Sequence, residues 1–346
     1  MGNSAQITFN GQIHQGLIRL KVRQALDAVA VSFEAEFSQG WSTNGKPEWL
    51  PIQPGSSTEI LWGNLSFKGF VDTIQPQLSK EAGLVTVSGR ETTADLIDAS
   101  AEGGPWKDQG LADIATAICQ PFGIQPQITG AAGGKFSHFA LNPGETAFEA
   151  LERLARHRGL LLISNGWGGL EIGKPMPKPI STALQGGSNL LAADMQVDYS
   201  GRFSSVKVVG QAPANPFATA ETDATPEAKA TDNTITRHRP LVLVAEEGQD
   251  EAGLQSRADW ELTVRKSRSQ VVRCTVQGWE HEEGAWKPQQ QCRVVIPAFG
   301  LNTDLMVTAV EWQLDENGTR SQLVLMPPGA FDVLATPESQ EVGGWP

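Results

Sequence analysis

The fold of this chain is decided by one segment, Gly69-Phe-Val-Asp-Thr-Ile-Gln-Pro-Gln-Leu-Ser-Lys-Glu-Ala-Gly-Leu-Val-Thr-Val-Ser-Gly-Arg-Glu-Thr-Thr-Ala-Asp-Leu-Ile-Asp-Ala-Ser-Ala101. Its pattern predicts a strand that ends near Pro76 to Leu78, a turn, and a second strand over Leu84–Ser88. A short helix should follow, because the hydroxyl of Thr92 or Thr93 can accept hydrogen bonds from free N–H groups of the first turn. The segment holds no catalytic motif, so it indicates a scaffold.

The residues before this segment alternate between apolar and polar side chains. Ile18, Leu20 and Val22 share one face of a predicted strand, and a second alternating strand follows over Val29–Phe37. Such alternation is typical of a sheet with one packed face and one wet face. Residues 1–98 are therefore predicted to form one small β-barrel closed by a helix.

Residues 99–180 change to helical spacing. Apolar residues recur from Leu111 to Ile118, and a second helix is predicted over Glu145–Arg158, with Gly159 as its stop. A short buried strand over Leu160–Ser164 turns back through Asn165–Gly169. This part is predicted to be a small inserted α+β domain.

Strands return in residues 181–346. A loop is predicted at about 211–240, because its first two thirds are rich in Ala, Pro, Thr and Asp and poor in large apolar residues. A helix is predicted at about 249–267. Three strands and a hairpin turn at Asp315–Gly318 then complete a second β-domain.

An internal repeat links the two β-domains. Trp49-Leu-Pro51 is followed by Val71, Ile74 and Leu78, and Trp286-Lys-Pro288 is followed by Val307, Val310 and Leu314. Each series leads into a turn that contains glycine and a return strand rich in Leu and Val. Similar hairpins also arise by chance in β proteins, but spacing, strand order and turn position agree together, which favours duplication.

Composition limits the functions that the chain can have. The formal net charge of −12 argues against sustained contact with phosphate backbones, which requires clustered Lys and Arg. Three scattered cysteines make no disulfide framework. No signal peptide or membrane-spanning run is visible, so we expect no stable membrane insertion.

Motifs for chemistry are missing or incomplete. His281-Glu-Glu283 lacks the second His of a zinc helix, and the run at 130–135 departs from a phosphate-binding loop at both ends. The abundant Trp residues could form a sugar-stacking surface, but core packing explains them better. We therefore predict no catalytic, cofactor-binding or metal-binding residue. The other four histidines show no metal-ligand spacing with any cysteine: His14, His138, His157 and His238.

Several runs resemble the baseplate hub protein of Mu-like contractile phage tails. They are Gly69–Asp72 with Val87–Ser100, Ile296-Pro-Ala298 with Met306–Leu314, and Leu323–Phe331. Glu145–Leu162 is similar to a segment shared by late control protein D hubs and the N-terminal region of the VgrG spike of type VI secretion. The resemblance covers nearly the whole chain in consistent order.

The resemblance implies two tube-like β-barrels in one chain, with the α+β domain between them, and a ring-shaped homotrimer of pseudo-sixfold symmetry. Such a trimer would join the hexameric tail tube to the trimeric spike, contact wedge proteins and line a channel that DNA passes without specific binding. The protein would be made in the bacterial host cytoplasm and reside in the virion baseplate, as a structural protein and not an enzyme.

Two alternatives stay open at the level of sequence. The first is the hub of a tail-like bacteriocin or of a type VI-like injection machine, which the sequence hardly separates from a phage hub. The second belongs to another class, a cell-wall glycan hydrolase or carbohydrate-binding module. It would require carboxylates that converge in a cleft.

Overall fold

The computed structural model describes residues 5–14, 16–38, 42–43, 46–47, 52–63, 65–79, 83–210, 226–245 and 251–335. The chain is mainly β, as predicted. Strands of more than two residues are β1 Gln6–Phe9, β2 Leu17–Ala25, β3 Ser32–Ser38, β4 Ser57–Trp62, β5 Leu65–Leu78, β6 Gly83–Glu91, β7 Trp106–Gln109, β8 Pro126–Thr129, β9 Phe136–Phe139, β10 Leu161–Ser164, β11 Leu170–Gly173, β12 Leu190–Val197, β13 Ser205–Val209, β14 Glu227–Thr231, β15 Pro240–Val244, β16 Gln270–Gln277, β17 Gln290–Ile296, β18 Leu301–Asp315 and β19 Gly318–Met326.

Helices are fewer and shorter than the strands. The α-helices in the described ranges are α1 Asp95–Asp98, α2 Leu111–Cys119, α3 Ala147–Arg156 and α4 Glu251–Arg268. Single 3-10 turns occupy Thr92–Ala94, Gln120–Phe122, Pro297–Phe299 and Pro328–Phe331. Two-residue strands lie at Gln12–Ile13, Ser42–Thr43, Lys46–Pro47, Lys178–Pro179, Leu184–Gln185, Glu280–His281 and Gly284–Ala285.

One large sheet contains strands from both ends of the chain. Its order is β12-β16-β19-β18-β2-β3-β6-β5-β4-β1, with β17 beside the N-terminal half of β18, and neighbouring strands in this order are antiparallel. One apolar cluster packs on the sheet and includes Phe33 and Val87 from the first half with Val272 and Leu325 from the second. The two β-domains therefore share a sheet and a core.

The hairpin β5–β6 is the predicted strand pair of the opening segment. A Cβ atom at Gly69 would lie 2.0 Å from the carbonyl oxygen of Arg90, and one at Gly89 would lie 2.0 Å from that of Phe70. Glycine is therefore required where the two strands approach most closely. The predicted helix cap is wrong: the Thr93 hydroxyl donates a hydrogen bond to the Val29 carbonyl, 2.9 Å away, and ties the turn to the connection between β2 and β3.

The inserted α+β part has a core of its own. Helices α2 and α3 pack with the three-stranded sheet β8-β11-β10 around a separate apolar cluster that includes Ile114 and Leu151. Helix α3 begins at a capping box, in which the Thr146 hydroxyl accepts from the Glu149 N–H and the Glu149 carboxylate accepts from the Thr146 N–H.

A second insertion separates β12 from β16. The connection from β2 to β3 spans only residues 26–31, whereas residues 198–269 hold the sheet β14-β13-β15 and helix α4. The predicted loop at 211–240 is wrong for its C-terminal part, because 227–231 form strand β14 with Ala228 and Ala230 packed in the core beneath α4. Residues 211–225 lie outside the described ranges.

A buried ion pair stabilises this second insertion. The Arg202 guanidinium donates to the carboxylate of Asp232 and to the Thr234 hydroxyl, and both charged side chains are buried. Burial opposes the charge of Asp232, but hydrogen bonds from Arg202 and Thr234 outweigh it and lower its pKa to about 2. The pair therefore stabilises the fold above pH 3.8, and this contribution is lost as pH falls towards 2.

We expect Arg202→Met to lower the free energy of unfolding by about 3 kcal/mol at pH 7, because the Asp232 carboxylate would stay buried without its partner. The loss should shrink below pH 4, where Asp232 takes up a proton in the variant. Urea unfolding at several pH values measures both effects. The control is Lys207→Met, which removes the exposed pair with Glu227 and should cost under about 1 kcal/mol. Equal losses in the two variants would contradict the prediction.

Candidate assembly interface

The two β-domains are built as copies of one five-stranded unit. We define the first unit as β2-β3-β6-β5-β4 and the second unit as β12-β16-β19-β18-β17, which are their orders in the sheet. A β-bulge interrupts the long strand of each, between Val71 and Thr73 in β5 and between Val307 and Ala309 in β18. The predicted repeat is therefore present in topology as well as in spacing. Its Trp49-Leu-Pro51 lies outside the described residues.

Equivalent residues can be paired without ambiguity. Val71 lies opposite Gly89 and Val307 lies opposite Leu325, so both strands of the two hairpins share an offset of 236 residues (307 − 71 and 325 − 89). The first strands match as well, because β2 and β12 each show a register shift after their first residue, Leu17 and Leu190.

The units meet within the chain at a junction between β2 and β18. Residues 20–25 of β2 pair with residues 309–314 of β18 in antiparallel register, Val22 opposite Trp312. Four apolar side chains at this internal junction are buried, and Leu314 is partly buried: Leu20 is 0% exposed, Val310 0%, Trp312 4% and Val22 7%. Backbone pairing and apolar burial thus join the two units.

Two edges of the same sheet hold the residues that are equivalent to those of the internal junction, and among the described residues neither edge has a partner strand. Strand β4 covers only residues 65–70 of β5, so residues 73–78 have no partner strand on their outer side among the described residues. Among the same residues, β12 pairs with β16 alone. Leu78, the equivalent of Leu314, is 87% exposed, and Val197, the equivalent of Gln24, is 51% exposed. We call these two surfaces the β5 edge and the β12 edge.

The face of the large sheet opposite the core carries charges of both signs. Pairs form across neighbouring strands at Arg19–Glu36, Lys21–Glu34, Arg90–Asp72 and Arg273–Asp194. This face therefore does not share the strong excess of acidic residues of the whole chain, because cations and carboxylates alternate on it.

A buried carboxylate holds the inserted α+β part against the first unit. Glu91 is 1% exposed and accepts hydrogen bonds from the Val31 N–H at 3.1 Å, from the Gly168 N–H at 2.6 Å and from the Ser164 hydroxyl. Burial raises the pKa of Glu91, and these donors oppose that shift. Because Ser164 and Gly168 belong to the β10–β11 hairpin, Glu91 acts as a latch between two cores. No local sequence pattern reveals this contact, because Val31 and Gly168 are 60 and 77 residues away from Glu91.

The residues tested for chemistry take structural roles. His281 stacks against Trp286 with ring centroids 4.6 Å apart, and burial lowers its pKa. Cys119, Cys274 and Cys292 are buried, which raises each thiol pKa to about 12. Across the described ranges, no cluster of three or more His, Cys, Asp or Glu residues could hold a metal ion.

A cavity of about 230 Å³ lies beneath the internal junction. Its walls include Trp62, Trp279 and Trp312, and the only carboxylate on its described walls is Glu171, which accepts a hydrogen bond from Thr129. The Trp279 indole N–H donates a hydrogen bond to the Gln313 carbonyl, and all three Trp side chains belong to the core. The described cavity thus lacks the carboxylate pair that glycan hydrolysis requires.

Three family models match the chain in sequence. Residues 4–91 match the N-terminal domain of Mu phage baseplate assembly protein GpP-like proteins, residues 93–174 match the second domain of baseplate hub protein gp44-like proteins, and residues 250–334 match the fourth domain of the Mu phage baseplate assembly protein GpP.

Individual relatives are similar over nearly their whole length. Baseplate hub protein gp44 of Escherichia phage Mu is 29% identical, over 96% of this chain and 89% of that protein. The 43 kDa tail protein of prophage MuSo2 from Shewanella oneidensis is 28% identical with a TM-score of 0.83, over 95% of this chain and 99% of that one. A tail protein from Neisseria meningitidis shares the fold at 21% identity and a TM-score of 0.75, with 95% and 97% covered.

Helices in the described part of the chain are too short or too polar to cross a membrane.

Proposed function

Because the chain is a relative of the baseplate hub protein of phage Mu and a structural tail protein rather than an enzyme, we propose that it is the central adaptor of a contractile-tail baseplate. In this role three copies form a ring that joins a hexameric tail tube to a trimeric spike and contacts the surrounding wedge proteins. The chain divides for this purpose into a first β-domain at 1–98, the α+β insertion at 99–180 and a second β-domain at 181–346.

One observation carries the proposal: two equivalent five-stranded units lie side by side in one sheet. A trimer of such chains presents six equivalent units, as a sixfold partner requires. Each insertion is present once per chain and therefore occurs three times in the trimer. The two units also differ from each other, so one ring can bind a sixfold partner through what the units share and a threefold partner through what they do not.

The ring would enclose a channel lined by the charged face of the large sheet. Positive and negative side chains alternate there in pairs such as Lys21–Glu34 and Arg273–Asp194. Tight binding of DNA requires clustered cations that replace phosphate counterions. Cations already paired with carboxylates are poorly suited to that task, which supports passage of DNA without specific binding.

We expect the purified chain to sediment as a trimer of about three times its 37.2 kDa mass. Electron micrographs of this particle should show a ring with six similar lobes. Sedimentation velocity over a range of concentrations, followed by two-dimensional image averages, measures both properties. A monomer or dimer at all concentrations, or a ring without a sixfold component, would contradict the proposed function.

A further inference from the structure

We propose that residues 336–346 fold back on their own chain and place the Trp345 side chain in the cavity beneath the internal junction. These residues lie outside the described ranges and read Thr-Pro-Glu-Ser-Gln-Glu-Val-Gly-Gly-Trp-Pro. The family match over the last part of the chain ends at residue 334, before this segment begins. The inference goes beyond the proposed function, because it concerns a contact within one chain.

The cavity has the size and the apolar walls that one large side chain requires. Its volume is about 230 Å³, below the roughly 300–1,000 Å³ of sites that take drug-sized ligands. Its walls include Ile60, Phe67 and Ile163. They also include Trp62 and Trp279, whose ring centroids lie 4.3 Å apart in an edge-to-face contact. A further aromatic ring suits such walls, because rings favour edge-to-face and offset contacts.

One residue of the walls has a polar group that no described residue satisfies. Trp312 is 4% exposed, and its buried indole N–H has no hydrogen-bond partner in the described structure. Trp279 differs, because its indole N–H donates to the Gln313 carbonyl. A buried donor without an acceptor is costly. The backbone carbonyls on either side of Trp345 would enter the cavity with the side chain and supply acceptors.

The cavity walls carry more positive than negative charge, although the chain is acidic. Lys178 and Lys287 belong to the walls, are exposed and have no carboxylate partner among the described residues. Glu171 is the only carboxylate on the described walls. The proposed occupant carries Glu338 and Glu341 and no Lys, Arg or His. Opposite charge therefore favours its approach to this cavity.

The segment begins close enough to the cavity to reach it. A Cβ atom at Gly159 would lie 2.7 Å from the Ala335 backbone nitrogen, so Ala335 lies beside the start of β10. From there β10 leads to Ile163 on the cavity wall, roughly 13 Å away at about 3.3 Å per residue. The chain from Ala335 to Trp345 spans up to about 33 Å when extended, which is more than twice the required length.

Trp345 in this position would contact all three parts of the fold. The cavity walls combine Phe67 of the first unit, Trp312 of the second unit and Ile163 of the inserted α+β part. A side chain packed among them would add apolar contacts to each part. We therefore infer that the segment stabilises the arrangement of the two units and the insertion.

The first experiment locates the segment by photo-cross-linking in the full chain. The photoreactive residue p-benzoyl-phenylalanine replaces Trp345 and keeps an aromatic side chain at that position. Mass spectrometry after irradiation should find cross-links to the cavity walls, within residues 60–67 or 163–166 of the same chain. The same photoreactive residue in place of Gln340 is the control and should lose these cross-links.

The second experiment tests the role of the wall lysines in the chain with native Trp345. Hydroxyl-radical footprinting measures how fast the Trp345 side chain is oxidised. Lys178→Glu with Lys287→Glu should raise this rate about fivefold, because two attractive exposed contacts become repulsive. The matched control is Lys107→Glu with Lys174→Glu, which changes the net charge equally at exposed lysines away from the walls and should leave the rate unchanged. Circular dichroism checks that both variants fold.

Cross-links to the walls within one chain, together with faster oxidation in the wall variant alone, support the proposal. It is overturned if position 345 gives no cross-link to the walls, or if the cross-links join two copies as covalent dimers. Equal oxidation rates in the two double variants also overturn it. None of these outcomes bears on the proposed function, which sedimentation and image averages test separately.

Discussion

Leu78→Glu is expected to prevent assembly of the trimer while leaving the fold of the single chain intact. Leu78 is 87% exposed in one copy, so a carboxylate there contacts water and costs the monomer little. In the proposed trimer, a neighbouring copy would cover this edge of the sheet, as β2 and β18 cover each other within one chain. A carboxylate buried there without a partner should weaken each contact on the order of a thousandfold.

The matched control is Gln75→Glu, which adds the same charge three residues away on the opposite face of β5. This variant should assemble like the unchanged chain, because its carboxylate stays in water. Native mass spectrometry over a range of concentrations distinguishes the two, and circular dichroism checks that both chains fold. If Leu78→Glu assembles normally, or if both variants fail equally, the core side of the β5 edge does not take part in assembly.

Glu91→Ala should strongly lower stability, because it removes the latch between the first unit and the inserted α+β part. The change leaves three donors without this acceptor: the buried Val31 N–H, the buried Ser164 hydroxyl and the partly buried Gly168 N–H. We expect a loss of about 3 kcal/mol, with the β10–β11 hairpin becoming sensitive to proteases. Glu91→Gln keeps one acceptor oxygen and should lose less.

The control for this prediction is Glu34→Ala. Glu34 lies on the neighbouring strand β3, where it is exposed and paired with Lys21. Its removal should change the free energy of unfolding by under about 1 kcal/mol. Urea unfolding measures all three variants, and limited proteolysis followed by mass spectrometry locates the first cut. A loss below about 1 kcal/mol for Glu91→Ala would show that the latch contributes little.

Sequence reasoning succeeded where the pattern is local. The strands on either side of Leu78, the helix that ends at Arg156 and the hairpin turn at Asp315–Gly318 follow from alternation, helical spacing and glycine. The repeat was visible because its apolar residues keep their spacing in both copies. The family was recognised because matching runs occur in consistent order along the chain.

The rest depends on contacts between distant residues. Nothing local indicates that β2 pairs with β18 across about 290 residues, so the sequence indicated two β-domains but not the sheet that joins them. Strand β14 was missed because Ala228 and Ala230 fill the narrow space under α4 without large apolar side chains. The sequence predicted a helix cap for the Thr93 hydroxyl. The actual acceptor is the Val29 carbonyl, which is 64 residues away and therefore leaves no local pattern.

The unequal connections between the first two strands of each unit have a consequence for the partners of the proposed trimer. The connection at 26–31 is six residues long, whereas the connection at 198–269 contains a folded lobe of three strands and helix α4. A partner that touches only strands would meet six nearly identical docking sites. A partner that reaches the lobes would meet three binding sites, one on each chain. One lobe in one of the two connections is therefore enough to give a ring of six similar units a threefold surface.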